Sequence, residues 1–207
     1  DYTVEGFSAV TYRGNNVAGL YIGGVGFQPD FVWTKKRNGS NSHRLVDAVR
    51  GATKTLMSDN SDAQGTENTV TSFETDGFTV GAGNSNNDAG TYVAWNWDMG
   101  GSNATLTAGS INSVVRANPT YGQSIVSYTG NAASSATIAH GLSSAPEMII
   151  VRQVGANAWA VYHTSIGATH LLELNTTAAK ADSAEFWADT SPTSSVFTIG
   201  GHAEVNP

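Results

Sequence analysis

The chain has 207 residues, room for one large domain or two small ones. Only 13% of them are charged, about half of the roughly 25% usual in a soluble domain, and 23 are glycine, so the chain is neutral-polar and rich in turns. Ten Lys and Arg against 17 Asp and Glu give a net charge of −7, no footprint for a nucleic-acid backbone, and the absence of cysteine excludes disulfides, thiolate metal sites and cysteine nucleophiles.

In chain order, residues 6–12 alternate Phe7, Ala9 and Thr11 against Ser8, Val10 and Tyr12, the period of a strand, and the turn formers of 13–16 end it. Residues 31–35 form a short apolar run entered through Pro29 and closed by Lys35. Across 43–57, Leu45, Val46, Val49 and Leu56 fall near helical spacing, but Gly51 and several Ser and Thr residues limit this stretch to one short helix. Alternation returns over 71–83 around the Asp76-Gly77 turn pair. Residues 92–97 carry Val93, Trp95 and Trp97 on one face and Tyr92, Ala94 and Asn96 on the other; the apolar weight of the indole face assigns Trp95 and Trp97 to the core. Residues 100–120 mix turn formers with an alternating piece around Ile111, Val114 and Val115. Residues 148–152 repeat the proline-led apolar run, and both such runs are expected as central, buried strands. The longest apolar runs are far short of the roughly 20 residues of a membrane span, and the N-terminus has no basic-then-apolar pattern, so a soluble protein without membrane insertion is expected.

Comparison of the chain with itself exposes a repeat. Gly6, Ser8, Val10, Tyr12, Gly14 and Asn15 recur as Gly122, Ser124, Val126, Tyr128, Gly130 and Asn131, displaced by 116. Residues 29–35 are echoed by 146–152 at a displacement of 117, and 78–81 by 197–200 at 119. The expected organisation is a first module over 1–105, a linker over 106–120 that can carry a strand, and a second module over 121–207. The expected fold class is all-β: two homologous antiparallel β-sandwiches in tandem, of jelly-roll rather than barrel type. The strand over 92–97 has its counterpart beyond Pro207, so the second sandwich is expected to lack its last strand: either the sequence is a piece of a longer chain, or a neighbouring segment supplies the strand, with association expected through the edge left open beyond 196–200.

The signature Tyr128-Thr129-Gly130-Asn131, His140-Gly141-Leu142, Ala145-Pro146, residues 148–151, residues 159–163 and residues 190–197 resembles a module that recurs in virion proteins of marine and cyanobacterial phages. There, tandem concanavalin-like sandwiches occur in tail-fibre and other surface proteins. The first module agrees through residues 24–30, Val49-Arg50-Gly51, Asp76-Gly77-Phe78 and Tyr92-Val93-Ala94-Trp95. The resemblance covers nearly the whole chain and departs at the C-terminus, where the Tyr-Val-Ala-Tyr type of strand is missing. It implies a structural or receptor-binding role at the virion surface and no catalytic residues.

Enzyme signatures fail: there is no phosphate loop, no nucleophile elbow and no paired zinc-protease histidines, and the five histidines are scattered. Glu74, Asp76 and Asp88 could pair as acid and base but read as solvated turn residues. The Asn-X-Ser/Thr patterns at Asn38, Asn103 and Asn175 read as chance in an Asn-rich chain. Glycan binding is the sharper candidate, because sugars need an exposed ring beside amide, carboxylate and hydroxyl groups on rigidly held loops. Asn84, Asn86, Asn87 and Asp88 supply the polar groups, with Trp159 and Trp187 expected as exposed platforms; the same loop could offer oxygens to calcium, and otherwise it is a hairpin turn. No cofactor, metal or nucleic acid is otherwise expected.

The expected function is a non-enzymatic phage virion protein of tail-fibre or receptor-binding type, at the virion surface, presenting loops to a host-surface glycan. The expected partners are other virion proteins and copies of the chain, a trimer being favoured. The alternative is a capsid decoration or cement protein, followed by a secreted lectin or depolymerase.

Overall fold

The computed structural model describes residues 6–86 and 89–207. The chain divides into two compact units: unit 1 is Asp1–Ser58 with Gln64–Gly100, and unit 2 is Asp59–Ala63 with Gly101–Pro207. Both are built from antiparallel sheets, and one four-residue helix is the only α-helix among the described residues. The stretch 106–120, expected as a linker, carries a strand and belongs to unit 2.

Unit 1 contains β1 (Phe7–Arg13), β2 (Leu20–Gly23), β3 (Phe31–Lys36), β4 (Arg44–Asp47), β5 (Lys54–Thr55), β6 (Gly65–Thr66), β7 (Ser72–Glu74), β8 (Gly77–Val80) and β9 (Thr91–Trp97). One sheet runs β1-β9-β3-β4 and a second runs β2-β8-β7, with β5-β6 as a separate pair. Between them Ile22, Val32, Val46, Val70, Phe78, Val80 and Ala94 form the core. The helix expected within 43–57 is absent. Leu45 and Val46 alternate faces of β4, and Leu45 makes a bridge with Leu56 that a helix would break.

Unit 2 contains β10 (Ala104–Leu106), β11 (Ser113–Asn118), β12 (Gln123–Tyr128), β13 (Ser135–Ala139), β14 (Met148–Arg152), β15 (Trp159–His163), β16 (His170–Glu173), β17 (Ala181–Asp182), α1 (Ala184–Trp187) and β18 (Val196–Gly200). Its sheets are β10-β11-β12, β13-β18 and β14-β15-β16-β17. Ser183 caps α1 by accepting from the Glu185 N–H, and Ala188 ends it in the left-handed region. The helix delivers Phe186 and Trp187 to a core that includes Ile138, Tyr162, Phe197 and Ile199.

The pairings that involve the repeated residues recur in register. Ile22 lies opposite Phe78 as Ile138 lies opposite Phe197, and Trp33 opposite Leu45 as Ile150 opposite Val161. Gly81 and Gly200 also share a constraint: a Cβ there would come within 2.7 Å of the Asn68 carbonyl oxygen and 2.2 Å of the Glu185 carbonyl oxygen. Of the two proline-led runs expected as central, buried strands, β3 is central, lying between β9 and β4, whereas β14 is not. In β3 the residues Phe31 and Trp33 stay half-buried, and β14 is an edge strand whose Met148 and Ile150 are 51% and 40% exposed.

Candidate functional site

The repeat is clearest in a hydrogen-bond latch. The buried Asn86 side chain accepts from the Asn15 N–H through Oδ1 (2.8 Å) and donates from Nδ2 to the Val17 carbonyl (2.7 Å). Asn206 does the same with the Asn131 N–H (2.8 Å) and the Ala133 carbonyl (2.8 Å). Beside each amide a phenol donates to the preceding carbonyl: Tyr12 to Ser85 at 2.8 Å, Tyr128 to Val205 at 2.6 Å. Burial raises both phenols far above the ordinary tyrosine range, with Tyr92 adding to the effect at Tyr12, so each stays a proton donor. The turn that receives the latch uses the left-handed region at matching positions, Asn16 at φ 56° and Ala132 at φ 55°.

This geometry corrects the expected glycan loop. Asn86 has no exposed surface and spends its amide inside the latch, so it offers no ligand group to sugar or calcium. Asn84 is exposed, while Asn87 and Asp88 lie outside the described residues. Trp159 and Trp187, expected as exposed platforms, are 5% and 1% exposed. The Trp159 indole N–H donates to the Asn60 carbonyl, and the Arg152 guanidinium lies 5.6 Å from its ring centre while donating to the Asp62 carbonyl. Trp187 is carried inward by α1 and meets Tyr162 edge-on at 6.0 Å. Flanking alanines marked these indoles as surface residues; Trp187 instead belongs to the core of unit 2, and Trp159 is covered beside Arg152 and the Asn60 carbonyl.

The carboxylates expected in turns have structural work. Asp76 accepts from the Gly24 and Gly26 N–H groups, and Glu74 accepts from the Ser72 and Thr79 hydroxyls. Among the described residues no group of three or more His, Asp or Glu is placed to hold a metal ion.

The aromatic surface lies instead on the outer face of β1-β9-β3. In β9 the buried residues are Tyr92, Ala94 and Asn96, whereas Val93, Trp95 and Trp97 face outward and are half-buried, the reverse of the core assignment expected for the indoles. The buried Asn96 amide donates from Nδ2 to the Ser8 and Ala94 carbonyls, while its Oδ1 is buried without a hydrogen-bond partner among the described residues. Cross-strand neighbours then set the rings in rows. Phe7, Trp97 and Phe31 form one, with centroids 5.1 and 4.9 Å apart. Trp95, Trp33 and His43 form the next at 6.1 and 5.8 Å, and the Trp33 indole N–H donates to His43 Nδ1 at 2.8 Å. Phe7 is 46% exposed and opens the first row to solvent. Lys35, on the same face, directs its ammonium to the carbonyls of Lys36, Gly39 and Asn41, closing the loop after β3. The result is an apolar platform held on a sheet, with the cations Lys35 and Arg13 toward its far end, suited to ring or C–H stacking. The signal for it was present in the alternation that set Phe7 apart from Val10 and Tyr12, but counting apolar residues on β9 pointed its faces the wrong way.

No curated protein matches the chain. No solved structure matches it either. A family profile described as a domain of unknown function matches residues 3–207, and the chain therefore belongs to that family, DUF7483.

Proposed function

We propose that the chain is a non-enzymatic phage virion surface protein of tail-fibre or receptor-binding type, and that it holds carbohydrate on the outer face of β1-β9-β3. Each unit is taken as a copy of a concanavalin-like jelly-roll sandwich, a reading supported by the recurrent registers and by the repeated latch. The virion assignment rests on the sequence resemblance to phage surface modules. The observation that carries the binding role is the double row of rings around Trp97 and Trp33, a half-exposed apolar surface on a sheet whose backbone hydrogen bonds fix its shape. A glycan-array signal should be lost in Phe7→Ala and in Trp33→Ala, with Asn84→Ala neutral. Phe7 is the most exposed ring of the face, so its removal has the smaller cost in stability. Retained binding in both variants would refute this site. A chain that binds no glycan but is present at high copy number on capsids would instead be a decoration protein.

A further inference from the structure

The five tryptophans differ in what their indole N–H groups do. Trp33 donates to His43 Nδ1 and Trp159 to the Asn60 carbonyl, while the Trp187 N–H is enclosed in the core of unit 2 without a partner among the described residues. The N–H groups of Trp95 and Trp97 bond to no protein group among the described residues, and neither is buried. Stacking engages the face of an indole and leaves the N–H at its rim to find an acceptor elsewhere. A purely apolar ligand on this face would have to strip water from both donors or leave them outside its contact, whereas a ligand with oxygens at its rim can take them up.

Cross-strand neighbours decide where there is room beside these indoles. Toward β3, Trp95 lies opposite Trp33, which meets it edge-on at 6.1 Å, and Val93 lies opposite Lys35. Toward β1 the partners are small: Ala9 lies opposite Trp95 and Thr11 opposite Val93, and both are exposed. Phe7, opposite Trp97 with ring centres 5.1 Å apart, stands at one end of this recess. Phe7 and Thr11 are four residues apart on one face of β1, about 14 Å of strand, and the methyl group of Ala9 is the low point between them. The Thr11 hydroxyl also lacks a protein partner among the described residues. No charged side chain lies between Phe7 and Thr11, and Arg13 is the next outward residue.

We infer that one sugar of a neutral glycan is seated over Ala9, with the indole N–H groups of Trp95 and Trp97 donating to its oxygens and the Thr11 hydroxyl bonding one of its hydroxyl groups. The ligand class is an uncharged pyranoside, apolar on the face laid against the rings and rich in acceptor oxygens at its rim. The inference rests on the carbohydrate reading of this face and adds the groups that set selectivity. Ring faces give contact to any apolar surface, whereas directed donors separate a hydroxylated ring from a bare one. The two contributions come apart on substitution, because phenylalanine keeps a ring on the strand and deletes only the donor.

The test uses the whole chain and an array of neutral oligosaccharides, with the strongest-binding oligosaccharide carried into titration and into proton–nitrogen spectra of the indole N–H groups. At saturation it should shift the Trp95 and Trp97 resonances and leave those of Trp159 and Trp187 in place. Trp95→Phe and Trp97→Phe should each weaken binding about tenfold, and Thr11→Val about threefold. Ala9→Trp, a strand-compatible change at an exposed position, should abolish binding with an unchanged thermal midpoint. In every variant, a Trp33 indole N–H still protected from exchange by its bond to His43 reports an intact face. Binding held within about twofold in both phenylalanine variants, while Phe7→Ala still loses it, would overturn the inference and leave a platform that works by stacking alone. Full affinity in Ala9→Trp, or unshifted Trp95 and Trp97 resonances at saturation, would overturn it as well. A wild-type chain that binds no oligosaccharide of the array would instead overturn the carbohydrate reading itself, and the seat over Ala9 with it.

Discussion

Asn86 and Asn206 each satisfy two backbone groups with one buried amide, so truncation orphans an N–H donor and a carbonyl together. Asn86→Ala and Asn206→Ala should each lower stability by about 2 kcal/mol in urea unfolding, and Asn86→Ala should leave carbohydrate affinity unchanged. A large affinity loss without a stability loss would return Asn86 to the binding site. His140 makes a second residue-scale case. It is 2% exposed, its Nδ1 accepts from the Leu142 N–H and its Nε2 faces the Thr193 carbonyl, an arrangement that suits the neutral ring. Burial lowers its pKa from the ordinary 6.5, with the Thr193 carbonyl partly opposing the shift. The unfolded chain therefore takes up the proton first: the stabilisation is complete above about pH 6.5 and is lost as pH falls through the lower folded value. His140→Gln should flatten that part of the stability profile below neutrality; an unchanged acid limb would assign it to other groups. The sequence carried the Tyr-x-Gly-Asn halves of the latch, because they repeat at one displacement. It hid the asparagine acceptors, since Asn86 and Asn206 sit among different neighbours and look like any turn asparagine.

At the scale of elements, strand positions and registers followed from alternation and turn residues, whereas the direction of a face did not. β9 has the larger side chains outward because the space toward Ile22, Val32 and Phe78 is filled from the opposite sheet, which leaves room at its centre only for Ala94. Ala94→Leu should therefore overpack the core and cost about 1–3 kcal/mol. Trp95→Thr on the outer face should cost less in thermal unfolding while weakening carbohydrate binding, since Trp95 packs edge-on against Trp33. The opposite ranking, with Ala94→Leu tolerated and Trp95→Thr collapsed, would restore the indoles to the core. α1 was illegible for a related reason: four residues carry no periodicity, and what fixes them is the Ser183 cap and the burial of Phe186 and Trp187.

For the whole molecule, the chain carries an internal sequence repeat and divides into two compact units, while the assignment of Asp59–Ala63 to unit 2 has no sequence signature. Charge bears on what the molecule as a whole can approach. With a net charge of −7, long-range attraction favours neither nucleic acid nor polyanionic glycans. The ammonium of Lys35, beside the ring rows, is engaged by three carbonyls. Ligand binding on the platform then depends on ring stacking and excluded water, neither of which releases counterions. The dissociation constant for a neutral oligosaccharide should change less than about twofold between roughly 0.05 and 0.5 M salt, measured by titration calorimetry or tryptophan fluorescence. Steep weakening with salt for an acidic oligosaccharide of the same length would show that Arg13, Lys36 or Arg37, rather than the rings between β1 and β3, provides the attraction, and would move the binding surface to the strand ends.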